Sequence, residues 1–221
     1  MTDPKNPLVS VLQITIEEGA FQENCERGIQ ALENAAEKGC NIAVLPELWT
    51  SGYALERSGE WIVKNRRVLE RIAAICREKK MMCVAGSYIL ENSRKNPANT
   101  CVAINRDGEI IAEYPKMHLF PRLGECEIFE RGEKPVLFDT PWGKAALALC
   151  YDLRFPELFR FYFHHNAAMI FVPAQWPGIR SEHWTTLLCA RAIEDNCYII
   201  ACNAAGRPEK ELLFGHSTII D

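Results

Sequence analysis

Short apolar runs alternate with amphipathic segments of helical periodicity along this chain. The runs at 9–16, 41–47 and 81–90 are rich in aliphatic residues and are bounded by turn residues, which predicts buried β-strands. Between them, 24–39 and 60–80 read as helices that cover the faces of a sheet. This order favours an α/β fold, because parallel neighbouring strands require a crossover connection.

The pattern changes at 99–116, where the residues Arg-Asp-Gly-Glu join two apolar runs. Asp-Gly between two strands is a strong signal for a β-hairpin. A long irregular stretch, 116–134, follows it. Because hairpin and crossover connections occur in one chain, the sequence predicts a mixed sheet.

The second half returns to alternating strands and helices. We predict strands at 143–150, 167–174, 197–203 and 216–221, and helices at 156–165 and 182–196. The chain has 221 residues, of which 48% are hydrophobic and 24% charged, and we find no linker. A core of ordinary composition without a linker predicts a single domain over 1–221.

The charge pattern excludes several classes of protein. The net charge is −4 and no basic stripe occurs, which argues against binding to nucleic acid. No apolar stretch reaches the length needed to span a membrane, and the N-terminal residues do not resemble a signal peptide. We therefore expect a cytoplasmic protein with no membrane partner.

Ten cysteines occur, and no two of them form a C-x-x-C pair. Without an export signal, we expect most of them to be reduced and packed as small hydrophobic residues. Cys150 differs, because it ends an apolar run and is followed at once by aromatic and charged residues. The histidines show no zinc-binding spacing, and no nucleotide-binding glycine motif is present, so we expect neither a metal nor another cofactor.

Three reactive side chains stand just beyond apolar runs. The strand at 41–47 ends in Glu47, the return strand of the hairpin ends in Lys116, and the strand at 143–150 ends in Cys150. A thiol becomes a nucleophile once it is deprotonated, and a carboxylate can accept that proton and return it to a leaving amine. An ammonium group can stabilise the oxyanion of a tetrahedral intermediate. The three groups together suit acyl transfer, although each alone is also compatible with an ordinary solvated loop.

Three segments in this order, "LPELWTSGY" (45–53), "YPKMHLF" (114–120) and "CYDLRFPE" (150–157), resemble the signature segments of the nitrilase superfamily of carbon–nitrogen hydrolases. The likeness continues through 174–196 and on to "FGHSTIID" at 214–221, so it covers nearly the whole chain. The resemblance implies a catalytic triad of Glu47, Lys116 and Cys150. It also implies a four-layer αββα sandwich with mixed β-sheets.

The resemblance assigns further roles around this triad. A second glutamate in the loop after the lysine should help to hold the triad; Glu125 fits this place best, with Glu127 and Glu130 as alternatives. The backbone N–H of Tyr151 should join Lys116 in binding the oxyanion. Arg154 and Glu157 should brace the turn after Cys150.

The residues after the cysteine also indicate the substrate. Tyr-Asp in this position resembles the amidase and carbamoylase branches, whereas members that act on nitriles typically carry Trp-Glu. The segment 174–196 most resembles the ω-amidase branch, which deamidates small α-keto acid ω-amides such as 2-oxoglutaramate; an amidase of deaminated glutathione and a nitrilase are the alternatives. Arg180 is the candidate for binding the substrate carboxylate, although it also fits an exposed loop.

Trp176 and Tyr53 are candidates for the walls of the substrate pocket, although core packing is the more ordinary explanation for each. Two other classes of function stay open: a thiol acyltransferase or ammonia donor using the same triad, and a catalytically silent interaction protein. The resemblance also implies a homodimer. Family chains usually continue beyond the strand that ends here at Asp221, so we expect this sandwich to be short at its C-terminal end.

Overall fold

The computed structural model describes residues 6–92, 96–206 and 212–221. The first half of the chain contains five strands and three α-helices within these ranges: β1 (Val9–Val11), α1 (Phe21–Glu37), β2 (Ile42–Val44), α2 (Ser58–Lys79), β3 (Met82–Leu90), β4 (Ala98–Ile104), β5 (Ile110–Pro115) and α3 (Glu125–Ile128). The second half contains β6 (Leu137–Thr140), β7 (Gly143–Leu147), α4 (Pro156–His164), β8 (Met169–Ala174), α5 (Ser181–Asp195), β9 (Tyr198–Asn203), β10 (Ala205–Gly206), β11 (Leu213–Phe214) and β12 (Thr218–Ile220).

The strands form two five-stranded sheets and one short pair. The first sheet has the order β1-β2-β3-β4-β5, in which β1, β2 and β3 are parallel and β4 and β5 complete an antiparallel hairpin. The second has the order β12-β9-β8-β7-β6, with a parallel centre and an antiparallel strand at each edge. Strands β10 and β11 pair separately. The predicted mixed α/β architecture is confirmed.

The sequence of strand β2 shows how the layers are built. Ile42 and Val44 pack into the core shared by the two sheets, whereas Ala43 and Leu45 pack on the other face against helices α1 and α2. Successive side chains of a strand point to opposite faces, so a strand buried on both sides reads as a continuous apolar run. Helices α4 and α5 cover the outer face of the second sheet, which completes the sandwich. No helix in the described ranges is both long and apolar enough to cross a membrane.

The helices and the β4–β5 hairpin lie close to their predicted positions, but several strands are shorter than predicted. The strand predicted at 41–47, for example, spans only Ile42–Val44. The run at 9–16 pairs with β2 only over Val9–Val11, and Thr15 then bridges to Ala205. The run at 143–150 leaves the sheet after Leu147, and Cys150 begins a 3₁₀ turn instead of ending a strand. Apolar residues continue past the last paired residue in both segments, because Leu12, Ile14 and Ile16 in the first and Ala148 to Cys150 in the second are buried. Apolar composition therefore does not mark where pairing stops.

The stretch at 116–134, predicted to be irregular, contains a 3₁₀ turn at Pro121–Leu123 followed by α3. Both are single turns, which are too short to produce a periodic pattern in the sequence. The edge strand β6 and the short pair β10–β11 were not predicted either. Residues 207–211, between β10 and β11, lie outside the described ranges.

Gly86 allows the first sheet to approach the loop that carries Glu47. It lies in an irregularity of the β3–β4 ladder with a φ of +74°. A Cβ atom at this position would lie 2.1 Å from the carbonyl oxygen of Pro46 and 2.8 Å from Trp49 Cδ1. Such contacts are far shorter than van der Waals distance, so only glycine fits without movement of the loop.

We expect Gly86→Ala to lower the free energy of unfolding by about 3 kcal/mol or more, because the new methyl group overlaps backbone in addition to imposing a strained φ. Gly39→Ala is the matched control, since Gly39 has a φ of +76° but no atom within 4 Å of a built Cβ. The control should lose about 1 kcal/mol from backbone strain alone. Urea unfolding of both variants measures the difference, and equal losses would contradict this account.

Candidate active site

Two buried carboxylates share one buried ammonium group at the end of the first sheet. Lys116 Nζ lies 2.8 Å from Glu47 Oε1 and 2.8 Å from Glu125 Oε1. All three side chains are fully buried. Burying unpaired charges is very costly, so this geometry requires each carboxylate to keep its contact with the ammonium group. The structure thus brings together three of the residues selected from the sequence.

Glu47 is held by a neighbouring strand end that is distant in sequence. Gln175, just after β8, donates its backbone N–H to Glu47 Oε2 at 3.0 Å, and its side-chain amide donates to the Glu47 carbonyl oxygen at 2.8 Å. The next residue, Leu48, has a φ of +40°, which turns the chain sharply behind the carboxylate. The sequence analysis did not select Gln175, because a glutamine beside a strand carries no signal of its partner.

Of the three glutamates considered for the loop after Lys116, Glu125 is the one in this cluster. Its Oε1 accepts the Tyr53 hydroxyl at 3.1 Å, and its Oε2 accepts the backbone N–H of Phe120 at 2.6 Å. Glu127 is exposed, and Glu130 is half-buried with its carboxylate 3.4 Å from the Asn96 amide.

A fully buried asparagine on β4 also contacts both carboxylates. Asn99 Nδ2 donates to Glu47 Oε1 at 2.9 Å and to Glu125 Oε1 at 3.2 Å. The backbone carbonyl oxygen of Asn99 accepts the backbone N–H of Lys116 at 2.9 Å. The sequence analysis missed Asn99; a polar residue at the start of an otherwise apolar run was the available signal.

Cys150 lies beside Glu47 at the start of the 3₁₀ turn. Its φ is +42°, an uncommon conformation for a residue other than glycine, and such strain often occurs where a side chain is held for function. The carboxylate of Glu47 and the backbone N–H of Gln175 both lie close enough to the sulfur to influence the pKa of the thiol. The fourth member of the selected set is therefore next to the buried cluster.

Asp152 fixes the turn that presents Cys150. Its Oδ2 accepts the Leu149 N–H at 2.9 Å and the Tyr114 hydroxyl at 2.8 Å. Its Oδ1 accepts the His118 N–H at 2.9 Å and lies 2.7 Å from His118 Nδ1. Tyr114 and His118 stand on either side of Lys116, so one buried carboxylate ties the cysteine turn to the lysine segment.

The pKa of the Cys150 thiol is raised well above its usual value. Burial is the largest cause and the negative charge of Glu47 adds to it, while the charge of Lys116 acts in the opposite direction. The resting sulfur is therefore protonated, and its proton lies beside a carboxylate that can accept it. This arrangement differs from a resting thiolate, because the nucleophile forms only when the proton moves.

The two charged groups beside Glu47 have pKa values set by opposing effects. Burial would lower the pKa of Lys116, but the charges of Glu125 and Glu47 outweigh burial and raise it well above its usual value. Burial raises the pKa of Glu125, and the charge of Lys116 limits this rise. The ammonium group consequently stays charged, which is the state that can stabilise an oxyanion.

A cavity opens in front of the sulfur and encloses about 750 Å³, part of which is open to solvent. Tyr53, Tyr151, Trp176 and Arg180 line it together with Cys150. Every substrate-binding candidate from the sequence therefore faces the same cavity as the thiol. Much of the remaining wall is apolar, as in typical small-molecule pockets.

Trp176 organises two arginines at this cavity. The Arg154 guanidinium lies 4.8 Å from the centre of the Trp176 ring, and the indole N–H donates to the Arg180 carbonyl oxygen at 2.8 Å. Arg154 Nη2 also lies 3.1 Å from His183 Nδ1. Arg154, which the sequence placed in a bracing role, thus lines the cavity beside Arg180.

Comparisons with known proteins agree with this geometry. A family model described as "Carbon-nitrogen hydrolase" matches residues 8–221. The chain belongs to the carbon–nitrogen hydrolase family. Its membership confirms the resemblance drawn from the three sequence segments and identifies the protein as an enzyme that hydrolyses carbon–nitrogen bonds.

Relatives and solved structures support this family assignment. The chain is 36% identical to a 2-oxoglutaramate amidase of Bacillus subtilis (strain 168) over 216 residues, covering 96% of this chain and 82% of the relative. It is 40% identical to a "Hydrolase in agr operon" of Staphylococcus lugdunensis over 190 residues, covering 83% and 80%. The crystal structure of Saccharomyces cerevisiae Nit3, a nitrilase superfamily member, aligns with a TM-score of 0.86 at 25% identity, covering 96% and 81%. The fold predicted from the resemblance is confirmed.

We expect Lys116→Met to lower the free energy of unfolding by roughly 3–5 kcal/mol near neutral pH, because two buried carboxylates lose their shared cation. Removing the ammonium also removes the charge that limits the raised pKa of Glu125. A carboxyl group with a higher pKa in the folded chain than in the unfolded chain favours folding at low pH, and this contribution is lost as the pH rises through the folded-state pKa. The variant should therefore lose stability relative to the parent between about pH 5 and pH 8.

The double variant Lys116→Met with Glu125→Gln serves as the control. Removing one carboxylate should recover part of the lost stability and flatten its dependence on pH. Urea unfolding at several pH values measures the free energy of unfolding and its dependence on pH. If the stability lost in Lys116→Met does not change with pH, the account of a shared cation is contradicted.

Proposed function

We propose that this enzyme is a cysteine-dependent amidase that converts a small carboxylate-bearing amide to an acid and ammonia through a thioester intermediate. The observation that carries the proposal is the Cys150 thiol at the cavity, next to the carboxylate of Glu47, whose negative charge raises the pKa of the thiol. Glu47 in turn contacts the buried ammonium group of Lys116. Nucleophile, base and cation are thereby within one site.

In the first step, Glu47 takes the thiol proton as the sulfur attacks the amide carbonyl carbon. The S–H electron pair forms the new S–C bond, and the C=O π electrons move to the oxygen. Because the thiol pKa is raised by burial, attack and proton transfer proceed together. The developing oxyanion accepts hydrogen bonds from Lys116 and the Tyr151 N–H, which supplies electrostatic stabilisation in a water-poor site.

In the second half, Glu47 returns the proton to the leaving nitrogen, the C–N bond breaks, and ammonia departs. A water molecule then attacks the thioester carbonyl while Glu47 accepts one of its protons. The C–S bond breaks with its electron pair going to the sulfur, the acid leaves, and Glu47 returns the proton to Cys150. Glu125 contributes by sharing the Lys116 ammonium with Glu47, which holds the cation close to the reacting oxygen.

The cavity favours a substrate with a carboxylate at some distance from its amide. Arg154 and Arg180 both line it, and guanidinium groups bind carboxylates with two parallel hydrogen bonds. The relative named 2-oxoglutaramate amidase supports an ω-amide of an α-keto acid as the physiological class. A single domain over 1–221, a homodimer and a cytoplasmic location remain predictions.

We expect ammonia release from 2-oxoglutaramate to exceed release from glutamine, deaminated glutathione or a simple nitrile, measured as kcat/KM for each compound.

Cys150→Ala should lower activity by about a thousandfold or more while the circular dichroism spectrum stays unchanged, because the covalent step is lost. Cys150→Ser should also be weak, since an alcohol is a poor nucleophile here. Dominant nitrile turnover would overturn the choice of substrate class, and substantial activity in Cys150→Ala would overturn the mechanism.

Arg180→Gln should raise KM for 2-oxoglutaramate by about 10- to 100-fold, because a charge-assisted contact to the carboxylate is lost. A neutral amide of similar length is the matched substrate, and its kcat/KM should change little. Arg154→Gln measured in parallel shows whether both guanidinium groups act. Equal losses for charged and neutral amides would show that Arg180 supports the pocket wall instead of binding the carboxylate.

A further inference from the structure

The side-chain amide of Asn99 contacts the carboxylates of Glu47 and Glu125 at the same time. From the start of β4 in the first sheet, its Nδ2 reaches Oε1 of each glutamate, at 2.9 Å and 3.2 Å. The side chain is fully buried. Among the described residues, its Oδ1 has no hydrogen-bond partner. The amide oxygen is thus left without a hydrogen bond while the amide nitrogen donates two. The two bonds to the carboxylates must therefore be strong enough to hold the amide in this orientation.

The chemistry of the two neighbours fixes the orientation of this amide. Turning it over would point Oδ1 at two carboxylate oxygens, and these groups would repel one another unless a carboxylate carried a proton. With Nδ2 facing them, both Oε1 atoms remain acceptors. Lys116 donates to the same two Oε1 atoms, so each of them already accepts two strong donors.

The other oxygen of Glu47 has a different environment. Oε2 accepts the backbone N–H of Gln175 at 3.0 Å, and the protein donates less strongly to it than to Oε1. An oxygen that accepts two charge-assisted bonds holds an added proton poorly, because the proton would face the ammonium group and the amide. Oε2 is therefore the more basic oxygen of Glu47.

We propose that Asn99 is a positioning residue, which together with Lys116 occupies Oε1 of Glu47 and so directs proton transfer from Cys150 to Oε2. This inference rests on the proposed function, in which Glu47 is the base. Asn99 also holds the two carboxylates at a fixed separation around one cation. Its backbone carbonyl bond to Lys116 N–H does not depend on the side chain, so substitution removes the contacts to the glutamates and keeps the strand pairing.

Two near-isosteric variants test this role. Asn99→Leu removes the donor, and we expect kcat for amide hydrolysis to fall by about 100-fold with a change in KM below about threefold, since the base is misplaced but the pocket is intact. Asn99→Asp places a third carboxyl group beside Glu47 and Glu125. Burial and like charges will raise the pKa of this new group.

The pH profile of Asn99→Asp separates positioning from ordinary structural support. Below the pKa of the new carboxyl group its O–H donates to a glutamate oxygen, and above that pKa its charge repels both glutamates. The ratio of its kcat to that of the parent enzyme should therefore rise by about tenfold as the pH falls from about 8 to about 6. Asn99→Leu should show no such recovery.

Asn65→Asp is the matched control, because Asn65 is another fully buried asparagine whose amide bonds to Thr50 and the Ile89 carbonyl oxygen. Its kcat profile should run parallel to that of the parent, even where its stability depends on pH. Circular dichroism at each pH restricts the comparison to folded protein, and if one Asn99 variant does not fold, the other decides the question.

Cys150→Ala measured in the same assay keeps the two proposals distinguishable. If Cys150→Ala retains activity, the proposed function is wrong. If it is inactive while an Asn99 variant keeps the parent kcat, or while Asn99→Asp follows the parent profile, then Asn99 does not position the base and this inference is overturned.

Discussion

The site depends on one buried ammonium group that lies between two buried carboxylates. Lys116 contacts Glu47 and Glu125 at 2.8 Å each, and none of the three side chains reaches solvent. Taking these charges out of water costs several kcal/mol for each ion, and the cost is offset only when the ions and their remaining hydrogen-bonding groups are fully partnered. Asn99, Tyr53 and the backbone N–H groups of Gln175 and Phe120 complete that partnering.

This constraint explains why so much of the fold converges here. The groups come from the ends of β2, β5 and β8, from the start of β4 and from the loop that contains α3. A shift of any of these segments would leave a charge or a donor without its partner in a dry environment. These segments must therefore keep their relative positions, and Gly86 lets β3 pass close to the Glu47 loop, where a side chain would collide with Pro46.

The sulfur stands at the boundary between this charged interior and an apolar cavity. On one side of it lies the carboxylate of Glu47, the proposed base; on the other, aromatic and arginine side chains line the cavity proposed to bind the substrate. Asp152 links both sides, because it fixes the turn after β7 and contacts residues on either side of Lys116. Cys150 and Leu48 both have positive φ angles, a strained conformation that persists only where the surrounding contacts hold it.

The sequence by itself determined the classes of element, the mixed character of the sheets and the identity of four polar groups at this site. Apolar periodicity and the Asp-Gly turn are local signals, and three short segments were specific enough to identify a family. Tertiary structure alone decided which strand residues stop pairing, as at Leu147, and which distant groups become partners. Asn99 and Gln175 were overlooked, and Arg154 was assigned to a turn, because their contacts join residues that are distant in sequence. Gln175 and Glu47, for example, are 128 positions apart. No local pattern encodes such contacts; they exist only once the two sheets have packed and removed the charges from water.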